Sequence, residues 1–251
     1  TGGCAPSWPV TDAGARRSGT MKRLLRWTGQ LVLAIVLLVL LLQFWYFAHI
    51  MWWTRFDPVS TSFMRAQHDT LRERDPDASL KHRWIAYDQI SPHLKRAVIA
   101  AEDANFTEHD GVDWDAIERA YESNLKKGTV VRGGSTITMQ LAKNLFLSGE
   151  RSYLRKAQEL VITYMLESMM SKRRILEIYL NVAEWGVGVF GCEAAARHHF
   201  GTSCAQLAPA QAARLAAMLP RPRYYDRNRA SPALARRTSI VLRWMGGVTP
   251  P

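Results

Sequence analysis

The sequence predicts an all-α, mainly helical fold preceded by one transmembrane helix, and three observations carry that prediction. Between Trp27 and Thr54 there is no Asp, Glu, Lys or Arg, a stretch sufficient for the roughly 20 apolar residues that span a bilayer. From Ser91 to Met245 the apolar residues recur at helical spacing. No alternating strand of any length interrupts them, and there is no internal repeat.

Residues 1–26 form an N-terminal segment whose first part, Thr1 to Thr20, is rich in Gly, Ala, Ser and Pro and reads as unstructured. Residues 27–54 are the transmembrane helix. Arg16, Arg17, Lys22, Arg23 and Arg26 precede it, while Trp45, Tyr46, Trp52 and Trp53 crowd its far end. The excess of cations on one side and the aromatic belt on the other predict a single pass with a cytoplasmic N-terminus. A cleaved signal peptide would have a shorter apolar core and a small-residue cleavage site, and the bulky run Phe44 to Trp53 offers none.

Residues 55–87 read as a linker and stalk, and 88–251 as one domain. Ser91-Pro92 makes an N-cap and first-turn pair, followed by Leu94, Val98 and Ala101 on one face. Trp114, Ile117, Tyr121 and Leu125 mark a second helix that Gly128 ends, and Ser135 caps a third running to about Phe146. Leu160, Val161, Tyr164, Met165 and Met169 make a fourth helix, apolar nearly all round and therefore expected to be buried. Ile175, Leu176, Tyr179 and Leu180 continue the pattern. Helices over Ala194–Phe200, Pro209–Leu219 and Pro232–Met245 complete it, with Pro220 and Pro222 stopping the penultimate one.

At 251 residues with 47% apolar side chains the chain can bury a substantial core, and its bulk is not disordered. The net charge of +11 points, for an anchored domain, to anionic headgroups and phosphorylated lipids rather than nucleic acid. Cys4 precedes the span, whereas Cys192 and Cys204 follow it, where spacing leaves a disulfide open. No His or Cys cluster has metal-site spacing, so no metal ligand is assigned.

Two nearby stretches bear the chemistry. In EDANFTEHDG, Glu102 shares a helical face with Leu94 and Val98; a carboxylate at an apolar edge has its pKa raised toward the range of a general base. Alone, it would read first as a cap or a surface partner of Lys95 or Arg96. Asp103 is read as orienting that base, contacting substrate, or helping a divalent ion if one is used, Phe106 as packing, His109 as holding a structural hydrogen bond, and Gly111 as turning with positive φ. In RGGSTITMQLAKN, Gly133 and Gly134 let the backbone approach a ligand, and the following helix start aims its amides at an anion. Ser135, Thr136 and Gln140 add neutral hydrogen bonds, and Arg132 and Lys143 add charge. An ordinary capped helix behind a loop fits the same residues. A third block, RKAQE, sets Arg155 and Lys156 before Glu159 at the start of an apolar helix; the bland reading is an i,i+4 ion pair.

These blocks, with KRRILEIYLN from Lys172 and GVFGCEAAARHHFG from Gly188, stand in order over about Ser91 to Leu219. They resemble the five motifs of the bacterial peptidoglycan glycosyltransferases, in the monofunctional form that lacks a penicillin-binding transpeptidase domain. An SxxK at Ser123 to Lys126 has no SxN or KTG companion and is coincidental. The resemblance implies a lysozyme-like, two-lobed fold, the Trp114 to Leu125 helix belonging to the smaller lobe. It makes Glu102 the general base and Glu159 the second essential carboxylate, serving the leaving pyrophosphate directly or through cations. Asp103, Arg132, Ser135, Thr136, Gln140, Lys143, Asn144, Arg155 and Lys156 become substrate-binding.

The implied substrates are lipid II and the growing glycan chain, joined by β-1,4 links with loss of polyprenyl diphosphate. The implied setting is the inner membrane, with the domain periplasmic and cell-division or elongation proteins as partners. No cofactor is required, and a divalent cation, Mg²⁺ or Mn²⁺, is compatible. His199 stands where the family commonly has Tyr, and Gln211 where Glu is common. The alternatives are a lytic enzyme using Glu102 as an acid on finished glycan, or a catalytically silent anchored scaffold.

Overall fold

The computed structural model describes Gly3 and residues 13–127, 134–147, 149 and 152–251, and the chain forms two contact units, Thr1–Ala48 and His49–Pro251. In the first unit, helix α1 (Ala13–Trp53) begins inside the stretch expected to be unstructured. Ala13, Ala15, Arg16 and Arg17 are good helix formers, and a long helix already nucleated downstream extends through them at little cost. Its portion Leu25–Trp53 is long and apolar enough to cross a membrane, and the side chains from Leu31 to Leu42 are exposed.

In the second unit, the stretch expected to be a linker and stalk carries helix α2 (Ser62–Arg72) and strand β1 (Lys81–His82). Thr61 caps α2 by accepting the Met64 amide at 3.1 Å, and Met64 and Gln67 are buried. Ser91 caps α3 (Pro92–Glu102), and Leu94, Ala97, Val98 and Ile99 form its buried face. That face packs on α9 (Pro209–Met218) and α11 (Pro232–Trp244). Ala212, Ala213, Ala216 and Ala217 of α9 are fully buried, and their small side chains let the helices approach closely. Pro222 does not stop α9, which ends earlier; it opens the short α10 (Pro222–Arg227).

Around the other side run α5 (Ile137–Phe146), α6 (Tyr153–Met169) and α7 (Lys172–Val182). The cap of α5 is Thr136, whose Oγ1 accepts the Met139 amide, and not Ser135. Helix α6 is not buried all round. Ile162, Thr163 and Leu166 face the core, but Val161 and Tyr164 are exposed, as is Tyr153 at 98%. Asn181 of α7 clamps the preceding chain, donating to Ile85 O and accepting from Ile85 N, each at 3.0 Å. Glu177 accepts the Tyr87 amide at 2.8 Å.

Three strands of two or three residues, which the sequence did not announce, form a sheet in the order β1-β3-β2, with β2 at Glu184–Gly186 and β3 at Val189–Phe190. The β1–β3 pair is parallel, Lys81 opposite Val189, and the β2–β3 pair antiparallel. Helix α8 (Cys192–Phe200) follows. Helix α4 (Trp114–Lys127) exposes Trp114, Tyr121 and Leu125; its expected stop at Gly128 lies outside the described residues.

Gly111 has φ of +89°, as expected, and a Cβ there would lie 2.8 Å from both Glu167 Cγ and Thr163 Cγ2. Left-handed strain together with overpacking predicts that Gly111→Ala destabilises the protein by about 2–4 kcal/mol. Denaturant unfolding in detergent checks this; an unchanged midpoint would show that the loop moves freely off α6.

Candidate active site

Glu102 closes α3 on the same face as the fully buried Leu94 and Val98, so its carboxylate leaves the core at the floor of a cleft. A chain of hydrogen bonds from three helices holds it there. Gln140 of α5 donates Nε2 to Glu102 Oε2 at 2.9 Å, and Tyr179 of α7 donates its hydroxyl to Gln140 Oε1 at 2.9 Å. Burial raises the Tyr179 phenol well above its ordinary pKa, so it stays a donor. With Tyr179 donating to its oxygen, Gln140 must offer its NH₂ to Glu102.

Burial also raises the Glu102 pKa, and Asp103 adds to that shift, while the Gln140 hydrogen bond, Arg237 and Lys143 oppose it. Neither Tyr179 nor Arg237 was anticipated as a site residue. Tyr179 was read only as part of an apolar stripe, although a buried phenol usually seeks a partner. Arg237 lies far away in sequence, in a helix with no motif to flag it.

Two cavities meet at Glu102. The larger, about 580 Å³, is lined by Glu102, Asn105, Asp113, Arg119, Arg237 and Trp244 among others. The smaller, about 300 Å³, runs from Glu102 past Ser135 and Gln140 to Lys143, Arg155, Lys156 and Glu159. Glu102 and Glu159 therefore line one cavity, which spacing alone could not establish.

Glu159 is buried, and cations occupy both its oxygens: Arg155 Nη1 at 2.6 Å and Lys156 Nζ at 2.5 Å. Lys156 also reaches Ser135 Oγ at 3.4 Å. Ser152 caps α6 by accepting the Arg155 amide at 3.1 Å, which fixes where this cluster starts. Burial lowers the Lys143 pKa and Glu159 works against that, so three cations face the cavity around one paired carboxylate. Arg155 Nε is buried without a hydrogen-bond partner, one of two such side-chain atoms among the described residues.

Several expected roles change. The Asp103 oxygens are taken, one by His109 Nε2 at 2.9 Å and the other by the Ile137 amide at 3.0 Å. At the start of α5 the Ile137 amide goes to Asp103 and the Met139 amide to Thr136, while Gly134, Ser135 and Thr136 line the larger cavity. An internal carboxylate thus satisfies one amide of that helix end. Thr136 is fully engaged, donating to Gly111 O at 2.5 Å while capping α5. Asn144 is buried and lines neither cavity.

Gly134 lines the larger cavity and also gives room to Ile117, whose Cγ1 would lie 2.8 Å from a Cβ there. Arg132 and Gly133 lie outside the described residues. The expected structural roles of Phe106, which is fully buried, and of His109 agree with the geometry. His199 donates Nε2–H to Trp185 O at 2.9 Å, and Gln211 accepts the Ala208 amide at 2.9 Å, both outside the residues lining the two cavities.

Among the described residues, His198, His199 and Asp226 are the one group whose donor atoms lie close enough together to hold a metal ion, all within 4.8 Å of one another. Burial works against the Asp226 carboxylate, but hydrogen bonds from His198, Arg229 and the Val187 amide pull its pKa down to about 2. With an arginine already seated on it at 2.9 Å, the group is an ion-paired joint between α10, α8 and the sheet.

A family model described as Transglycosylase matches residues 67–246. The biosynthetic peptidoglycan transglycosylase of Janthinobacterium sp. (strain Marseille) is 62% identical over 231 residues, covering 92% of this chain and 99% of that protein. Its counterpart in Herminiimonas arsenicoxydans is 61% identical with the same coverage. The protein of that name from Bordetella pertussis (strain Tohama I) is 60% identical over 85% of this chain and 90% of its own.

Proposed function

The chain belongs to the transglycosylase family and is a peptidoglycan glycosyltransferase of cell-wall synthesis, and from that premise we propose how its cleft divides the reaction. Lipid II and the growing glycan chain are the two substrates, one supplying the acceptor hydroxyl and the other the lipid-linked donor. Glu102 takes the proton from a sugar 4-hydroxyl as that oxygen attacks the anomeric carbon of the other substrate. The bond to polyprenyl diphosphate breaks with inversion, and a β-1,4 link forms. The larger cavity takes the sugar that supplies the hydroxyl. The diphosphate lies in the smaller one against Lys143, Arg155 and Lys156, with Arg132 as a further candidate cation.

The observation that carries this reading is the shared cavity: a carboxylate raised by burial at one end, and at the other a cation cluster with the buried, unpartnered Arg155 Nε. A buried donor without an acceptor costs about 1–3 kcal/mol, which an incoming phosphate oxygen would recover. Because the leaving group is a stabilised anion, positioned cations matter more than a general acid. A cation already sits on each Glu159 oxygen, so its role here is indirect, setting the positions of Arg155 and Lys156. Asp103 acts in the same indirect way, by holding the start of α5.

Of the carboxylates at the cleft, Glu102 keeps Oε1 without a hydrogen bond among the described residues, while three others are held by protein partners. Glu159 and Asp103 are engaged at both oxygens, and Asp113 is held by Asn105 at 3.0 Å and the Ala116 amide at 2.7 Å. No step here runs through a metal; a divalent cation that the reaction needed would enter on the diphosphate. We further propose that α1 anchors the enzyme in the inner membrane with a cytoplasmic N-terminus. The cation excess before the span supports this orientation.

The deciding experiment supplies the full-length protein with purified lipid-linked disaccharide, with and without chelator. Glycan polymer is the expected product; cleavage of finished cell wall without polymerisation would replace this reading with the lytic one. Tyr179→Phe should lower kcat about tenfold, roughly the value of one aligned hydrogen bond, with KM little changed. Its acid limb should move to higher pH, because Gln140 would no longer be held toward the carboxylate. A variant with wild-type kcat and pH profile would remove Tyr179 from the chain of hydrogen bonds.

A further inference from the structure

Cys192 and Cys204 are thiols with no exposed surface. Cys192 opens α8, and Cys204 opens the 3₁₀ turn Cys204–Gln206 that packs against it. Glu193 pins the two together: it is buried, accepts the Cys204 amide at 2.8 Å, and holds Arg197 at 2.7 Å. The turn packs on α8, and the side chain next to Cys192 in sequence binds the Cys204 amide, so the two cysteines sit in adjoining elements. Two buried cysteines ordinarily serve as small apolar packing residues. A neighbouring pair on the exported side of a membrane anchor has a second chemistry open to it.

We propose that Cys192 and Cys204 are joined by a disulfide in the mature, membrane-inserted protein. The oxidant is a disulfide of the exchange class, a protein dithiol couple or oxidised glutathione. One thiolate attacks it, the second cysteine displaces the mixed disulfide, and two electrons and two protons leave with the oxidant as two thiols. Burial raises the Cys192 thiol well above its ordinary pKa, so thiolate is scarce once the unit closes and the exchange belongs to the folding chain. The bond braces the cleft from behind. Leu207, just after the turn, accepts Ser91 Oγ at 3.2 Å, and Ser91 caps the helix that ends at Glu102. Neither cysteine lines either cavity.

This inference rests on the proposed export of the unit but not on the roles given to the cleft residues. In the test, membranes holding the full-length protein are acid-quenched, denatured and alkylated with N-ethylmaleimide, then analysed by peptide mass spectrometry. Cys192 and Cys204 should be unlabelled and should share one cross-linked peptide, with both labelled after a reducing agent. In a parallel arm, the reduced, unfolded protein is refolded in detergent with oxidised glutathione and should give the same cross-link without glutathione adducts. Both cysteines labelled without reductant in the membrane sample would overturn the proposal, whatever the second arm gave. The Cys192→Ser/Cys204→Ser variant should polymerise glycan at the wild-type rate and unfold several degrees lower. The polymerisation assay is indifferent to the bond, so failure here and failure of the catalytic reading are separable.

Discussion

Glu102→Gln is expected to cut glycan polymerisation by about 10²–10⁴-fold, the usual contribution of a positioned general base, while leaving the protein at least as stable as the wild type. The two halves have one cause. Burial raises the Glu102 pKa in the folded protein, so the ionised form that catalysis needs is the form the fold disfavours. An acid with a raised folded pKa contributes stability that is present below its unfolded value, about 4.3, and lost as pH rises through the folded value. The glutamine is neutral throughout, and its oxygen can still accept from Gln140. At neutral pH the variant's melting temperature should match or exceed that of the wild type, and the advantage should vanish in acid.

In the wild type the same shift places the acid limb of kcat/KM above the ordinary glutamate range, the rate rising with pH as Glu102 ionises. Polymerisation within a few-fold of wild type would remove Glu102 as the base. A fall in melting temperature would mean the loss came from damage to the fold.

The second large effect is expected at the other end of the cleft. Glu159→Gln should lower polymerisation by about 10²-fold, the cost of misplacing groups by about an ångström, even though a cation already sits on each Glu159 oxygen. Its two partners differ in exposure, Arg155 at 18% and Lys156 at 41% of the side chain. The stability loss should therefore fall below the 3–5 kcal/mol of a fully buried pair, at about 2 kcal/mol. Arg155→Ala with Glu159→Gln forms a double-mutant cycle that tests the indirect role. If Glu159 acts by placing Arg155, the two rate losses overlap, with a coupling of about 1 kcal/mol or more. Strictly additive losses would mean that Glu159 meets the substrate independently.

Much of the site could be read from residues in sequence. Glu102, Arg155, Lys156 and Glu159 sit in short blocks, and helical periodicity fixes which side of each helix they occupy. Gly111 was legible because its turn needs a backbone that other residues resist. What escaped depended on partners distant in the chain. The Tyr179–Gln140–Glu102 connection joins three helices, and nothing local marks the phenol as different from its apolar neighbours. Arg237 reaches the cleft only because α11 packs against α3. The strands β1, β2 and β3 were invisible because two or three residues carry no period, and pairing Lys81 with Val189 is a purely long-range event.

By itself, then, the chain specified a helical protein with an apolar span at its head, and it named the carboxylates and cations of a glycosyl transfer. These follow from local chemistry, since periodicity, capping and charge spacing act over a few residues. Tertiary structure alone decided that Glu102 and Glu159 share a cavity. It also decided that Asp103 and Thr136 help to hold α5, and that Lys143, Arg155 and Lys156 gather around one cavity. Such outcomes hang on which group reaches a buried donor first, and packing settles that competition only when distant helices meet.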